Sequence, residues 1–174
     1  MAAPGTRTLV LLRHAKSSWN DGAADDFDRP LAPRGREAAR RLAADLCALV
    51  RPDLILCSTA RRTRETLEPI LAACSHDVQV RFERSLYLAD AGSLLGVVRG
   101  LPATAGTALL VGHNPGMHEL AAMLAGAGDP ELRRRLEGKF PTGAMAIIEI
   151  AGPWSKAVAG AGRLVAYRTP RELP

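Results

Sequence analysis

The pair Arg13-His14 stands directly after the short apolar run Thr8–Leu12. Ser58 and the cluster Arg61-Arg62-Thr63-Arg64 follow a second apolar run, and Gly112-His113-Asn114 follows another. Two histidines with two or more arginines suit a phosphoryl centre. Guanidiniums neutralise the non-bridging oxygens and hold them in a fixed orientation. Backbone N–H groups at a helix start add further donors for an anion. Neutral imidazole is a nucleophile near neutral pH and can form a phosphohistidine intermediate. A second imidazole can donate a hydrogen bond, or stand as a cation beside the transition state. His14 is therefore the candidate nucleophile. Arg13, His113 and one of Arg61, Arg62 and Arg64 are candidate ligands of the phosphoryl oxygens. Ser17 and Asn20 are further candidates to line the pocket.

Such residues act together only if the fold brings them to one place. Thr8–Leu12 reads as a buried strand. The Asp-rich stretch His14–Pro33, with breakers at Pro30 and Pro33, reads as a long loop, and loops of that length inside a domain are usually functional. Arg34–Val50 reads as a helix with Ala38, Leu42, Leu46, Leu49 and Val50 on its apolar face. A second strand, Leu54–Cys57, precedes a helix capped by Ser58 or Thr59 and running to about Cys74. Val78–Phe82 is a third strand, Ala91–Arg99 a helix, and Thr107–Val111 a fourth strand. Helices over Met117–Leu124 and Asp129–Leu136 follow, then strands at Ala144–Ile150 and Arg163–Arg168. Alternating strands and helices imply parallel pairing through right-handed crossovers. No helix separates the last two strands, so an antiparallel edge is expected. The expected fold is a single α/β domain over residues 1–174, a three-layer αβα sandwich on a mostly parallel sheet of about six strands. In open α/β sheets, ligands bind beyond the carboxyl ends of the strands. Arg13, His14, the arginine cluster and His113 all follow such ends.

With these positions in view, a family resemblance emerges. Arg13-His14-Ala15 resembles the Arg-His-Gly signature of the histidine phosphatase superfamily, the phosphoglycerate mutase-like fold. Ser58, Arg62 and Thr66 resemble its second block, a serine followed four places later by arginine and eight places later by threonine; that register selects Arg62. Gly112-His113-Asn114-Pro115-Gly116 resembles its third block. The order and spacing agree across nearly the whole chain. The short domain, Asp28-Arg29-Pro30-Leu31 followed by Gly35, and Phe140-Pro141-Thr142-Gly143-Ala144 are similar to the SixA-type phosphohistidine phosphatases. The resemblance implies that His14 attacks phosphorus while Arg13, Arg62 and His113 hold the phosphoryl group, and that no metal or other cofactor is needed. Ala15 replaces the usual glycine, so a positive φ at that position would be strained. Larger members carry a carboxylate general acid after the third strand. Here Ser85–Asp90 has no glutamate in the expected place, which leaves Glu83 and Asp90 as the candidates. An alkoxide leaving group needs a proton in the transition state, whereas the protonated imidazole of a phosphohistidine leaves neutral. The expected substrate is therefore a histidine-phosphorylated protein. A phosphomonoesterase for a small metabolite and a non-catalytic phosphate-binding module are the alternatives.

Composition sets the outer bounds. With 47% hydrophobic residues in 174, the chain can bury a core of one domain. No run reaches the ~18 apolar residues of a membrane helix, and no signal peptide is evident, so a cytoplasmic protein is expected. Formal net charge is +5, but few aromatics are present to stack bases, and nucleic acid is not an expected partner. Cys47, Cys57 and Cys74 lack metal spacing and read as reduced thiols. His118 reads as structural or exposed and His76 as solvated. Asp21, Asp25, Asp26 and Asp28 lack the regular oxygen spacing of a calcium loop and read as a solvated loop.

Overall fold

Leu9 and Leu11 pack into one apolar cluster and Val10 and Leu12 into another. Successive strand side chains point to opposite faces, so this strand is buried on both sides and needs helices above and below it. A computed structural model describes residues 5–20, 22, 25–74 and 76–173. Its strands are β1 (Thr6–Arg13), β2 (Leu54–Ser58), β3 (Gln79–Glu83), β4 (Thr107–Gly112), β5 (Ala125–Gly128), β6 (Met145–Ala151) and β7 (Gly162–Arg168). Its helices are α1 (Pro33–Leu49), α2 (Arg61–Ala73), α3 (Ala91–Arg99), α4 (Gly116–Leu124) and α5 (Pro130–Gly138). Leu42, Leu46, Leu67 and Ile70 of α1 and α2 pack with Val10 and Leu12. Leu94, Val98, Leu120, Leu124 and Leu136 of α3 to α5 pack with Leu9 and Leu11 on the other face. No helix among the described residues is long and apolar enough to cross a membrane.

The strand order is β3-β2-β4-β1-β6-β7-β5. Strands β3, β2, β4 and β1 pair in parallel, and β6 runs antiparallel to both β1 and β7. The sheet is thus mostly parallel, with two differences from the expectation. It has seven strands rather than about six, and its antiparallel member lies inside the sheet. Strand β5 pairs in parallel with β7 at the edge. Its sequence, Ala-Gly-Ala-Gly, carries no apolar periodicity, which hides it from a pattern reading. A Cβ at Gly126 would lie 2.0 Å from the Gly160 carbonyl oxygen, so glycine is what permits the close approach.

Smaller shifts have local causes. Pro33 opens α1, in keeping with the tolerance of the first helical turn for proline. Leu49 is exposed and Val50 lies just past the helix, so the apolar face ends at Leu46. Neither Ser58 nor Thr59 caps α2: Ala60 occupies the cap with no side-chain bond, which leaves the Ser58 hydroxyl for another use.

Candidate active site

The carboxyl ends of β2, β4 and β1 are neighbours in the sheet. Arg13 pairs in register with Gly112, and Cys57 with Val111. His14 and His113 therefore leave adjacent strands side by side, with ring centroids 5.3 Å apart. Arg62, one residue into α2, reaches between them. Its Nε lies 3.3 Å from His14 Nε2 and its Nη2 lies 3.3 Å from His113 Nδ1. Arg13 donates through Nη1 to the Phe140 carbonyl at 3.0 Å. These groups border a cleft of about 410 Å³.

The hydrogen bonds assign the tautomers. His14 Nδ1 is 2.7 Å from the Ala15 carbonyl oxygen. A carbonyl only accepts, so Nδ1 carries the proton and the Nε2 lone pair faces Arg62. His113 Nδ1 accepts from Arg62, and its Nε2 lies 2.8 Å from the Ser58 hydroxyl. Arg62 only donates, so Nε2 of the neutral His113 carries the proton and donates to Ser58; a hydroxyl both donates and accepts, so the same Ser58 also suits the Nδ1–H tautomer. Burial, joined by the charges of Arg62 and Arg13, lowers the His14 pKa to about 3 against the opposing pull of the Ala15 carbonyl. Burial and Arg62 also bring His113 to about 3. Both rings are neutral at physiological pH, and the His14 Nε2 lone pair accepts from Arg62 Nε at 3.3 Å.

A profile of the histidine phosphatase superfamily, branch 1, matches residues 9–100, more than half of the chain. The chain belongs to this superfamily. An uncharacterized protein of Mycobacterium tuberculosis is 40% identical over 166 residues, which cover 92% of this chain and all of that protein. Among solved structures, one from Nakamurella multipartitia assigned as a phosphohistidine phosphatase SixA superposes with a TM-score of 0.79 at 33% identity, covering 95% of this chain and 97% of that one. A second, assigned likewise, from Agrobacterium tumefaciens gives 0.77 at 29% identity, covering 94% and 98%.

In this histidine phosphatase, the loop between β1 and α1 supplies more than the sequence reading allowed. Asp26 reads there as part of a solvated loop, yet its Oδ2 accepts from Arg62 Nη2 at 3.0 Å and from the Tyr87 hydroxyl at 2.7 Å. The Asp26 carbonyl accepts from Arg62 Nη1 at 2.6 Å. Partial burial would raise the Asp26 carboxyl. Bonds from Tyr87, Arg29 and Arg62 overcome that and hold it near 2. Arg29 Nη1 reaches Asp26 Oδ1 at 2.9 Å, and Nη2 reaches the Ser17 hydroxyl at 2.7 Å. Nothing in composition separates Asp26 from Asp25 and Asp28. The length of the loop was the one available signal.

The remaining candidates fall on either side of the cleft wall. Ser17 lines it, buried against Arg29. Asn20 is exposed outside the lining, where its backbone N–H donates to the Ser18 hydroxyl. Asp90 caps α3 through Ser93, and Glu83 ends β3; neither lines the cleft. Ala15 does not adopt a positive φ and is tied by its N–H to the Thr66 hydroxyl at 3.0 Å, so the departure from glycine carries no strain. His118 is structural, bonded to the Leu136 carbonyl and stacked on Phe140. His76 is half-buried and bonded to the Pro52 carbonyl at 3.0 Å, rather than solvated. At the cleft mouth, Trp19 is 74% exposed and Leu88 52%. Leu88 has a φ of 51°, the sole non-glycine residue with positive φ among those described. The guanidinium of Arg29 lies 3.3 Å over the Trp19 ring.

Proposed function

We propose that the chain hydrolyses phosphohistidine in a protein through a phosphohistidine intermediate on its own His14. The observation that carries this reading is the Nε2 lone pair of His14, fixed by the Nδ1 bond to the Ala15 carbonyl and directed at the Arg62 edge. In the first step Nε2 forms a bond to phosphorus as the N–P bond of the substrate breaks. The substrate imidazole, protonated at its other nitrogen, leaves neutral. Arg13 and Arg62 offset the charge of the transferring oxygens, and His113, in its Nδ1–H tautomer with the Ser58 hydroxyl donating to Nε2, donates a hydrogen bond to them. Water then attacks phosphorus, phosphate leaves with the proton, and the lone pair returns to Nε2.

The acid inventory supports a nitrogen leaving group. Among the described residues, Asp26 is the one carboxylate lining the cleft, and with its pKa near 2 it is ionised at neutral pH and has no proton to give. An ester substrate would need that proton. The open mouth with Trp19 and Leu88 exposed supports a macromolecular substrate, because exposed apolar side chains grouped at a site mark contact surfaces.

The test is rapid quench with a protein carrying labelled phosphohistidine. Acid-labile label should appear on the wild-type chain and be absent from His14→Ala, which should lose turnover by a factor of at least about a thousand. Retention of hydrolysis by His14→Ala would sink the nucleophile. Rapid turnover of sugar phosphates, with inertness toward phosphohistidine protein, would sink the substrate.

A further inference from the structure

A second and larger cleft, about 650 Å³, adjoins the first. Lys16 and Thr142 line both and form their shared border. Lys16, Arg34, Arg41, Lys139 and Arg171 bring five cations to its walls, and no carboxylate is among its lining residues. Several surface arginines elsewhere are offset: Arg40 by Glu37, Arg61 by Glu65, Arg134 by Glu131. Lys16, Arg34, Lys139 and Arg171 make no such pair among the described residues. Arg41 donates one bond to the Leu173 carbonyl at 3.3 Å and keeps a buried Nε with no partner among the described residues.

We propose that this groove holds an acidic segment of the protein that carries the scissile phosphoryl group. The inference rests on the protein-substrate reading above. Arg34 and Arg41 are seven residues apart on α1, two turns and about 10 Å along its axis. One phosphate cannot span that distance. An extended chain advances about 3.3 Å per residue and covers it in about three. Carboxylates two or three residues apart therefore match the row of cations. The lining contains no aromatic residue, which disfavours a nucleic acid strand.

Three phosphohistidine peptides test the groove, one with Asp and Glu alternating beside the phosphohistidine, one with Asn and Gln, and one with Lys. The wild type is expected to favour the acidic peptide about tenfold in kcat/KM, chiefly through KM, with the preference fading as salt rises. In Arg34→Gln/Arg171→Gln the ratio should fall close to one. In Arg34→Glu/Arg171→Glu the preference should invert toward a lysine-flanked peptide, an outcome misfolding cannot produce. Equal turnover of the acidic and neutral peptides by the wild type would overturn the proposal. So would a wild-type-like preference in the charge-reversed variant, or competition by inorganic pyrophosphate that depends on Arg34 and Arg171 while the acidic peptide shows none. Turnover of none of the phosphopeptides would count against the substrate reading alone. Binding of the unphosphorylated acidic peptide, followed by fluorescence anisotropy in the same variants, then decides the groove.

Discussion

At the residue scale, Asp26 fixes what Arg62 can do. It occupies the outer edge of the guanidinium and leaves Nε and Nη2 turned toward the two imidazoles. Arg62 is 3% exposed, so Asp26→Ala leaves a buried charge without its counter-ion and free to reorient. A misplacement of about 1 Å costs up to about a hundredfold in rate. Asp26→Ala should therefore lower kcat/KM for phosphoramidate by about ten- to a hundredfold, with circular dichroism unchanged. Activity within twofold of wild type would show that Arg62 needs no such anchor. The contrast with His14 explains what sequence could reveal. His14 and His113 follow apolar runs, and their place at strand ends can be read from pattern alone. Asp26 lies in a loop with no periodicity, and its contacts come from Arg62 and Tyr87, thirty-six and sixty-one positions away.

At the element scale, the stretch between β1 and α1 is held by its backbone. The Ala32 N–H donates to the Lys16 carbonyl at 2.8 Å, Ser17 pairs with Leu31, and the Leu31 N–H donates to Glu65 Oε2 at 2.6 Å. Gly35, in the first turn of α1, meets the same segment: a Cβ there would lie 2.0 Å from the Lys16 carbonyl oxygen. Gly35→Ala must push loop and helix apart, an overpacking cost of about 1–3 kcal/mol. The melting temperature should fall by several degrees, and activity should fall further than stability, because Ser17 and Asp26 ride on the displaced loop. A melting curve superposable on wild type would contradict this close packing. The helices and the four consecutive parallel strands were legible because apolar residues recur at their characteristic spacings. Strand β5 was not, because its Ala and Gly side chains give no pattern. The interior place of β6 was not, because pairing with β1 depends on residues far away in the chain.

At the scale of the whole molecule, two buried neutral histidines tie stability to pH. In the folded chain His14 and His113 hold pKa values of about 3, against the usual 6.5. As pH falls below 6.5 the unfolded chain takes up protons first, so stability is full above that value and is lost progressively down to about 3. Asp26, held near 2 against the usual 3.8, adds a further loss below 3.8. Calorimetry between pH 7 and pH 4 should show a steeper fall in melting temperature for the wild type than for His14→Asn/His113→Asn. Parallel curves would show that these rings titrate normally in the fold. The left-handed Leu88 carries a different consequence. A leucine there costs about 1–2 kcal/mol that glycine would not incur, yet its side chain stands at the cleft mouth. Leu88→Gly should hold or raise the melting temperature while slowing turnover of a protein substrate and sparing a small one; slowing both equally would refute it. Thermostability and choice of partner then pull in opposite directions at one position. A lineage selected for heat resistance alone would be expected to drift to glycine there and to lose discrimination among its substrates.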